Sequence, residues 1–225
     1  SLWALTGVDK IGVYRGTVIE SSNDSLNRNY KVIPSYSPSA VFKNYGFRYH
    51  LYSDYKKAKR ESRTKHINYQ ERELWIEPNI EDLYRFESKY IKDLDDSKPL
   101  AFDIETAGGQ ITCIGFAPSL NHALVVPFTY NYWAEPDRKK AWAWVKRLLE
   151  DETIVKVAQN QTYDVSWLKY MQDIEVKGVI HDTMHAQHSL QPELEKGLGF
   201  LGSTYTNEGA WKTLAKFSDS TKADE

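Results

Sequence analysis

An apolar run with two acids one residue apart constrains the fold of this chain more than any other stretch. Residues 100–106 read LAFDIET, and Ile104 separates Asp103 from Glu105. Alternate side chains of a β-strand point to the same face, so both carboxylates leave one face while Phe102 and Ile104 pack on the other. Two adjacent like charges repel unless a cation lies between them. The run therefore predicts a strand that ends in a divalent-metal site or, as the alternative, in two incidental solvated acids.

The surrounding pattern predicts the fold class. Three apolar runs at 100–105, 111–117 and 123–127 are separated by a Gly-Gly pair and a Pro-Ser pair, which is typical of consecutive strands. An amphipathic helix over 137–150 is followed by a strand over 154–158, which we expect to pair parallel to the first. Further elements are predicted at 161–171 (helix), 179–183 (strand) and 197–205 (helix). This order predicts an α/β fold with a mixed sheet flanked by helices.

A third acid lies at the start of the helix that follows the fourth strand. Asn160 and Asp164 are four residues apart and share one side of that helix. If the strand before them neighbours the first one, Asp164 approaches Asp103 and Glu105 at one edge of the sheet. Three carboxylates at one place predict two divalent cations. Each residue also has a structural interpretation, Asn160 as a helix cap and Asp164 as a first-turn acid that the helix dipole stabilises.

The first 98 residues read as a smaller α/β region. Its helix over residues 2–6 is expected to close on Gly7, and Asn79 is expected to cap a helix with acids in its first turn. Between residues 48 and 63, bases alternate with tyrosines. Two interpretations of this stretch are open: a helix face that contacts phosphates, or a solvated helix with its tyrosines against the core. The bases of the densest cluster are Lys56, Lys57, Lys59, Arg60, Arg63 and Lys65.

Composition limits the class of protein. A net charge of −2 means that any nucleic acid must be held by a local basic and aromatic surface. The single cysteine, Cys113, excludes an intrachain disulfide and a multi-cysteine metal site, and it fits a reducing compartment. No run approaches the roughly 18 apolar residues of a membrane span, and the first residues lack a signal-peptide pattern. We therefore expect a cytoplasmic protein with no membrane partner.

Two segments resemble a known nuclease family. The segment Asp103-Ile104-Glu105-Thr106 resembles the first motif of the DEDD-type 3′–5′ exonucleases, and Asn160 with Tyr163-Asp164 resembles the second. The stretches HDTM (181–184), PEL (192–194) and KGLGFL (196–201) are similar to those that follow in the proofreading domain of phage-type family A DNA polymerases. The resemblance covers residues 99–212. It implies an RNase H-like fold and a division of the chain into residues 1–98 and an exonuclease domain over 99–225.

The resemblance also implies a mechanism. Such exonucleases hydrolyse the 3′-terminal phosphodiester of single-stranded DNA with two cations, Mg²⁺ or Mn²⁺. By this likeness Asp103 bridges both cations, Glu105 holds the one that activates water, and Asp164 holds the second. The residues expected to contact the single strand are Thr106, Asn160 and Tyr163. Asp182 matches the family stretch, and we interpret it as a helix cap rather than as a ligand.

One family motif is not found in the chain. The third motif, Tyr-x-x-x-Asp or His-x-x-x-x-Asp, carries the fourth carboxylate and is expected after Trp211 and Lys212. Neither spacing occurs up to Glu225. We interpret the chain as a fragment, with the fourth carboxylate and a polymerase module beyond Glu225, in a bacterial or phage-infected host cell. The alternative is an impaired nuclease.

The N-terminal region resembles a second family. Residues 4–7, 15–16 and 32–41 are similar to the C-terminal half of the uracil-DNA glycosylase superfamily. Ser37 stands where that family has its histidine. The resemblance therefore implies a degenerate remnant or DNA-binding platform rather than a working glycosylase.

The sequence leaves three functions open. The first is a proofreading-type 3′–5′ exonuclease. The others are a non-catalytic module that binds single-stranded DNA and an RNase D-like ribonuclease, since the same acids serve both nucleic acids. Degradation of a labelled strand, with and without 2′-hydroxyl groups, separates these functions.

Overall fold

The computed structural model describes residues 2–22 and 30–210, and these residues belong to two compact units. Of the described residues, 70–186 form the sheet unit, and 2–22, 30–69 and 187–210 form the terminal unit. The predicted domain limit at residues 98 and 99 follows from a sequence resemblance rather than from compactness, and it stays a prediction. The expected third-motif region after Trp211 lies outside the described residues.

The secondary-structure elements are numbered along the chain. The helices are α1 (Leu2–Thr6), α2 (Ile11–Tyr14), α3 (Ala40–Lys43), α4 (Phe47–Glu61), α5 (Ile80–Phe86), α6 (Glu135–Glu150), α7 (Gln161–Gln172), α8 (Thr183–Leu190) and α9 (Leu198–Tyr205). A π-helical segment, Glu87–Ile91, continues α5. The strands are β1 (Ile19–Glu20), β2 (Lys31–Val32), β3 (Glu73–Trp75), β4 (Leu100–Ala107), β5 (Gln110–Ala117), β6 (His122–Pro127), β7 (Lys156–Ala158) and β8 (Ile180–Asp182).

The sheet unit is built on a mixed sheet. In the described part of the chain its six strands follow the order β3-β6-β5-β4-β7-β8. The neighbours β4, β5 and β6 are antiparallel, whereas β7 runs parallel to β4 and β8 parallel to β7. Leu100 pairs with Lys156, which brings β7 beside the first strand of the meander. This order confirms the predicted α/β class with a mixed sheet flanked by helices, and the parallel pairing of the fourth predicted strand.

The two faces of β4 differ as its alternating sequence predicts. Phe102 and Ile104 are buried, whereas Asp103 and Glu105 are exposed. The buried residues join a core that contains Trp144 of α6, whose indole meets the ring of Phe116 edge-on at 5.5 Å. Each large apolar side chain buried in such a core contributes about 1.5–3 kcal/mol. This burial fixes the register of β4, because a one-residue slip would place both acids in the core.

Two predicted helix ends are confirmed. Gly7 follows α1 with a φ of +72°, and its N–H donates to the carbonyl of Trp3 at 2.8 Å. Asn79 caps α5: its side chain accepts from the N–H of Asp82 at 2.9 Å, and the Asp82 carboxylate accepts from the N–H of Asn79 at 3.0 Å. Both helix ends could be predicted from the sequence because a cap uses residues only a few positions apart.

The terminal unit contains the short β1–β2 pair, α1 to α4, and α9. Leu194, Phe200 and Leu201 form its small apolar cluster, against which Tyr49 of α4 packs. No helix within the described residues is long and apolar enough to cross a lipid bilayer.

Candidate functional site

The end of β4 carries the first two acids and an irregularity in the sheet. Asp103 and Glu105 are exposed on the same face of the strand. The register with β5 shifts between Glu105 and Thr106, so that Glu105 pairs with Cys113 and Thr106 with Ile111. The Thr112 hydroxyl, at the shift, donates to the carbonyl of Glu105 at 3.0 Å. Such a bulge changes the direction of the side chains beside it, and the sequence pattern did not predict it.

Asp164 is placed directly against this strand. It lies in the first turn of α7, is 3% exposed, and its Oδ1 accepts from the backbone N–H of Ile104 at 3.0 Å. Ile104 stands between Asp103 and Glu105, so the bond brings the third acid to the backbone that carries the other two. Burial raises the pKa of the Asp164 carboxyl and the charge of Glu105 raises it further, against the lowering effect of the Ile104 hydrogen bond. The structural interpretation of Asp164 as a first-turn acid holds for its position, but its carboxylate binds the neighbouring strand.

A second bond joins the same two elements. The hydroxyl groups of Thr106 and Tyr163 lie 2.7 Å apart. The ring of Tyr163 remains partly open to solvent, with 45% of the residue exposed. The start of α7 is therefore fastened to β4 at two successive residues, Tyr163 and Asp164. This leaves a hydroxyl pair and an aromatic ring beside the acids.

Asn160 occupies the cap position of α7 without capping it. Its φ of 58° and ψ of 48° are left-handed, a conformation that asparagine tolerates better than most residues. Its side chain makes no cap hydrogen bond, and the residue is exposed. The interpretation of Asn160 as a side-chain helix cap is therefore wrong. Because Asn160 precedes α7 and its backbone is left-handed, helical spacing does not fix its side chain relative to that of Asp164.

Asp182 supplies the missing cap from another strand. The residue is buried, its Oδ1 accepts from the N–H groups of Asn160 at 3.1 Å and Met184 at 2.8 Å, and its Oδ2 accepts from Gln161 at 2.9 Å. Burial by itself would raise the pKa of Asp182, but hydrogen bonds from Gln161, Asn160, Met184 and His185 outweigh it and lower the pKa. Its interpretation as a cap of α8 is confirmed, and it also holds the start of α7. Sequence reasoning missed this second contact, because Asn160 offered a local cap whereas Asp182 is 21 positions away from Gln161.

We expect the Asp182→Ala substitution to lower the free energy of unfolding by about 3 kcal/mol. The substitution leaves several buried or partly buried N–H groups at two helix starts without an acceptor, and each costs about 1–3 kcal/mol. Urea denaturation followed by circular dichroism measures the change. A matched control is Asp95→Ala, because Asp95 also accepts from a backbone N–H, that of Ser97 at 2.9 Å, but at an exposed turn. Equal losses in the two variants would contradict the role of Asp182 at both helices.

The oxygen donors at this edge fit a hard divalent cation. Asp103 and Glu105 present carboxylates on one exposed face, and the Asp164 carboxylate is held at the backbone between them. In residues 2–22 and 30–210, no group of three or more acidic, histidine or cysteine side chains is arranged to enclose a metal ion. Mg²⁺ does not need such a cage, since it keeps several waters and takes one or two carboxylates together with substrate phosphates. The structure therefore holds the Asp164 carboxylate against the strand that carries Asp103 and Glu105, and the described residues do not arrange the three acids as a closed metal site.

The comparison with protein families identifies the class of protein. Residues 81–223, more than half of the chain, match the model of the 3′–5′ exonuclease family. This chain therefore belongs to the 3′–5′ exonuclease family, and the domain is that of a nuclease. The match includes β4 and α7, and so all three acids.

Curated proteins and solved structures show what the chain is similar to. It is 33% identical over 104 residues to DNA polymerase I of Pseudomonas aeruginosa. The aligned region covers 42% of this chain and 11% of the polymerase. The crystal structure of the EXD2 exonuclease domain soaked in Mg and GMP is 18% identical, covers 58% of this chain and 67% of that chain, and has a TM-score of 0.42. Brucella melitensis NrnC is 17% identical, covers 62% of this chain and 63% of its own, and has a TM-score of 0.45.

Proposed function

We propose that this chain removes nucleotides from the 3′ end of single-stranded DNA by hydrolysing the terminal phosphodiester. Membership of the 3′–5′ exonuclease family supports the reaction class. The observation that carries the site assignment is the bond between the Asp164 carboxylate and the N–H of Ile104, at 3.0 Å. It joins the third acid to the strand that carries Asp103 and Glu105. We propose these three residues as the catalytic, metal-binding set.

Each acid has a distinct part in this proposal. Asp103 and Glu105 offer oxygen donors on the open face, where a phosphate of the substrate can complete the coordination. Asp164 is fixed by burial and by its bond to Ile104, so its carboxylate is positioned before substrate binds. Two divalent cations, Mg²⁺ or Mn²⁺, would supply an activated water and offset the charge on the leaving oxygen.

The residues around the acids can contact the 3′ end of a single-stranded nucleic acid. The Tyr163 ring is half exposed, and a base can stack on it without regard to sequence. Its hydroxyl and that of Thr106 form a polar pair at 2.7 Å that can meet the terminal nucleotide. Asn160 offers an exposed amide with both a donor and an acceptor. We propose that Thr106, Asn160 and Tyr163 hold and space the last nucleotides.

The test is hydrolysis of a 5′-labelled single-stranded oligodeoxynucleotide with Mg²⁺ or Mn²⁺. We expect a ladder of shortened products from the wild-type chain and a loss of rate of about a thousandfold in Asp103→Asn, because a metal-bound transition state is worth several kcal/mol. Asp137→Asn is the matched control, since Asp137 is an exposed acid of α6 that pairs with Lys140 at 2.9 Å.

The outcomes separate the candidate functions. No ladder from the wild-type chain or from a longer chain that includes the third motif, or equal rates in the two variants, would contradict the proposal. The first of these results would favour a non-catalytic DNA-binding module. Faster hydrolysis of the matching RNA strand would favour a ribonuclease.

We also propose a wider context for the domain. The 33% identity to DNA polymerase I supports a proofreading role beside a polymerase module, but the match spans 11% of that relative. The division at residues 98 and 99, the glycosylase-like origin of the first part, the phage-type source and a cytoplasmic location remain proposals of the same kind.

A further inference from the structure

Helix α4 presents a stripe of bases and tyrosines along one side. Most successive members are three or four residues apart, which places them on one helix face. We call this the α4 face, and it consists of Arg48, Tyr52, Tyr55, Lys56, Lys59 and, just after the helix, Arg63. A helix of this length extends for about 22 Å, enough to follow several nucleotides of an extended strand.

The acids of α4 do not lie on this face. Asp54 is buried and pairs with Arg15 at 2.6 Å, and Glu61 is buried and pairs with Lys31 at 3.1 Å. Their charges are therefore offset by bases from outside the helix. Within the described residues, no acidic side chain forms an ion pair with Lys56 or Lys59. The α4 face is accordingly basic, although the whole chain carries a net charge of −2.

The tyrosines of the face are unusually open for large rings. Tyr52 is 72% exposed and Tyr55 is 55% exposed, so the interpretation of the tyrosines as a core-facing stripe is wrong for these two. It holds for Tyr49, which packs against the small apolar cluster. Arg48 shows that the surface supports stacking, because its guanidinium lies 3.9 Å from the Tyr49 ring centre and 4.0 Å from that of Tyr45.

We propose that the α4 face binds single-stranded nucleic acid. Lysines and arginines on one side of a helix attract phosphates, and exposed rings between them stack on bases of any sequence. Binding at the α4 face does not require a 3′ or 5′ end of the nucleic acid, since phosphates and bases are present all along the strand. It is therefore a second nucleic-acid surface, independent of the proposed hydrolysis at Asp103, Glu105 and Asp164.

The test uses a closed circular single-stranded oligodeoxynucleotide, which has no 3′ end for an exonuclease site to take. Its binding to the full chain is measured by fluorescence anisotropy in EDTA. We expect Lys56→Glu/Lys59→Glu to raise the Kd at least about tenfold and to reduce the slope of log K against log salt by about 1.4, or 0.7 for each lost phosphate contact. We expect Tyr52→Ala/Tyr55→Ala to raise the Kd about tenfold, because each base stacked on a ring is lost.

Three controls make the result specific. Tyr52→Phe/Tyr55→Phe keeps both rings and should bind as the wild type does. Lys139→Glu/Lys140→Glu reverses two exposed lysines of α6 that already pair with acids, and it should change the Kd by less than about threefold. Circular dichroism checks that each variant is folded.

The proposal is overturned if the wild-type chain does not bind the circle, or if either the lysine or the tyrosine pair can be changed without loss. Binding to vesicles of anionic phospholipid, with the circle left unbound, would also overturn it in favour of a lipid surface. Hydrolysis of linear strands is measured separately, so failure of this proposal and failure of the exonuclease assignment remain distinguishable.

Discussion

Replacing Asp164 by asparagine is expected to abolish hydrolysis and to stabilise the metal-free domain by about 1 kcal/mol. Asparagine keeps an oxygen that accepts from the N–H of Ile104, but it removes a charge from a residue that is 3% exposed. The charges of Glu105 and Asp182 add to this cost. A gain in stability together with a loss of activity is the expected trade-off at a buried charge in the proposed site.

The difference in the free energy of unfolding between Asp164→Asn and the wild type should depend on pH, and its sign follows from the pKa of Asp164. Burial raises the pKa of Asp164 above its ordinary value of 3.8. The folded protein then holds this proton to higher pH than the unfolded chain does, so the contribution of Asp164 to stability falls as the pH rises above about 4. The advantage of Asp164→Asn should therefore be absent below about pH 4 and should grow as the pH rises through the raised pKa of Asp164. Urea denaturation in EDTA at several pH values measures it.

The alanine variant provides the contrast. Asp164→Ala removes both the charge and the acceptor, and it leaves the buried N–H of Ile104 unpaired at a cost of about 1–3 kcal/mol. We expect both variants to be inactive. Only Asp164→Asn should be more stable than the wild type, whereas Asp164→Ala should be less stable. A hydrolysing Asp164→Asn variant would contradict the site assignment. Loss of stability in both variants would contradict the account of the buried charge.

The second large effect is expected in the terminal unit, where Arg15 and Asp54 form a buried ion pair. Their exposed fractions are 4% and 2%, and Arg15 Nη1 lies 2.6 Å from Asp54 Oδ1. Ser35 donates to the other carboxylate oxygen at 2.7 Å, and Arg15 Nη2 donates to the Ser203 hydroxyl at 3.1 Å. Burial raises the pKa of Asp54, while the Ser35 bond and the Arg15 charge oppose the rise. The pair therefore depends on both partners.

We expect Asp54→Ala to lower the free energy of unfolding by about 3–5 kcal/mol, because it leaves the Arg15 charge buried without a partner. Arg15→Met should cost a similar amount by isolating the carboxylate. The double variant Arg15→Met/Asp54→Leu should recover much of the loss, since an apolar pair carries no such charge. Hydrogen exchange at the amides of α4 reports on this unit directly.

An exposed ion pair is the control for these variants of the buried pair. Asp137 and Lys140 of α6 lie 2.9 Å apart at the surface, and breaking that pair should cost less than about 1 kcal/mol. If Asp54→Ala costs no more than Asp137→Ala, the buried pair is not important for the stability of the terminal unit. If the double variant is as unstable as either single one, the loss comes from packing rather than from an isolated charge.

Local patterns were sufficient for most elements of the sheet unit. The alternation in residues 100–106 predicted which side chains of β4 are buried, because the period of two is a property of the strand itself. Capping by Asn79 was predicted from residues three positions apart. The bulge at Thr112 and the left-handed Asn160 were not predicted, since both depend on what the neighbouring strands impose.

The sequence by itself determined the class of fold and supplied the three acids of the proposed site, because strand alternation and motif spacing are carried by residues close together in the chain. Only the tertiary structure decided that Asp164 binds the N–H of Ile104, that Asp182 holds the start of α7, and that the acids of α4 are turned inward. Each of these contacts joins residues 20 or more positions apart. Partners at such separations are selected by burial and charge compensation in the folded chain, which no local pattern records.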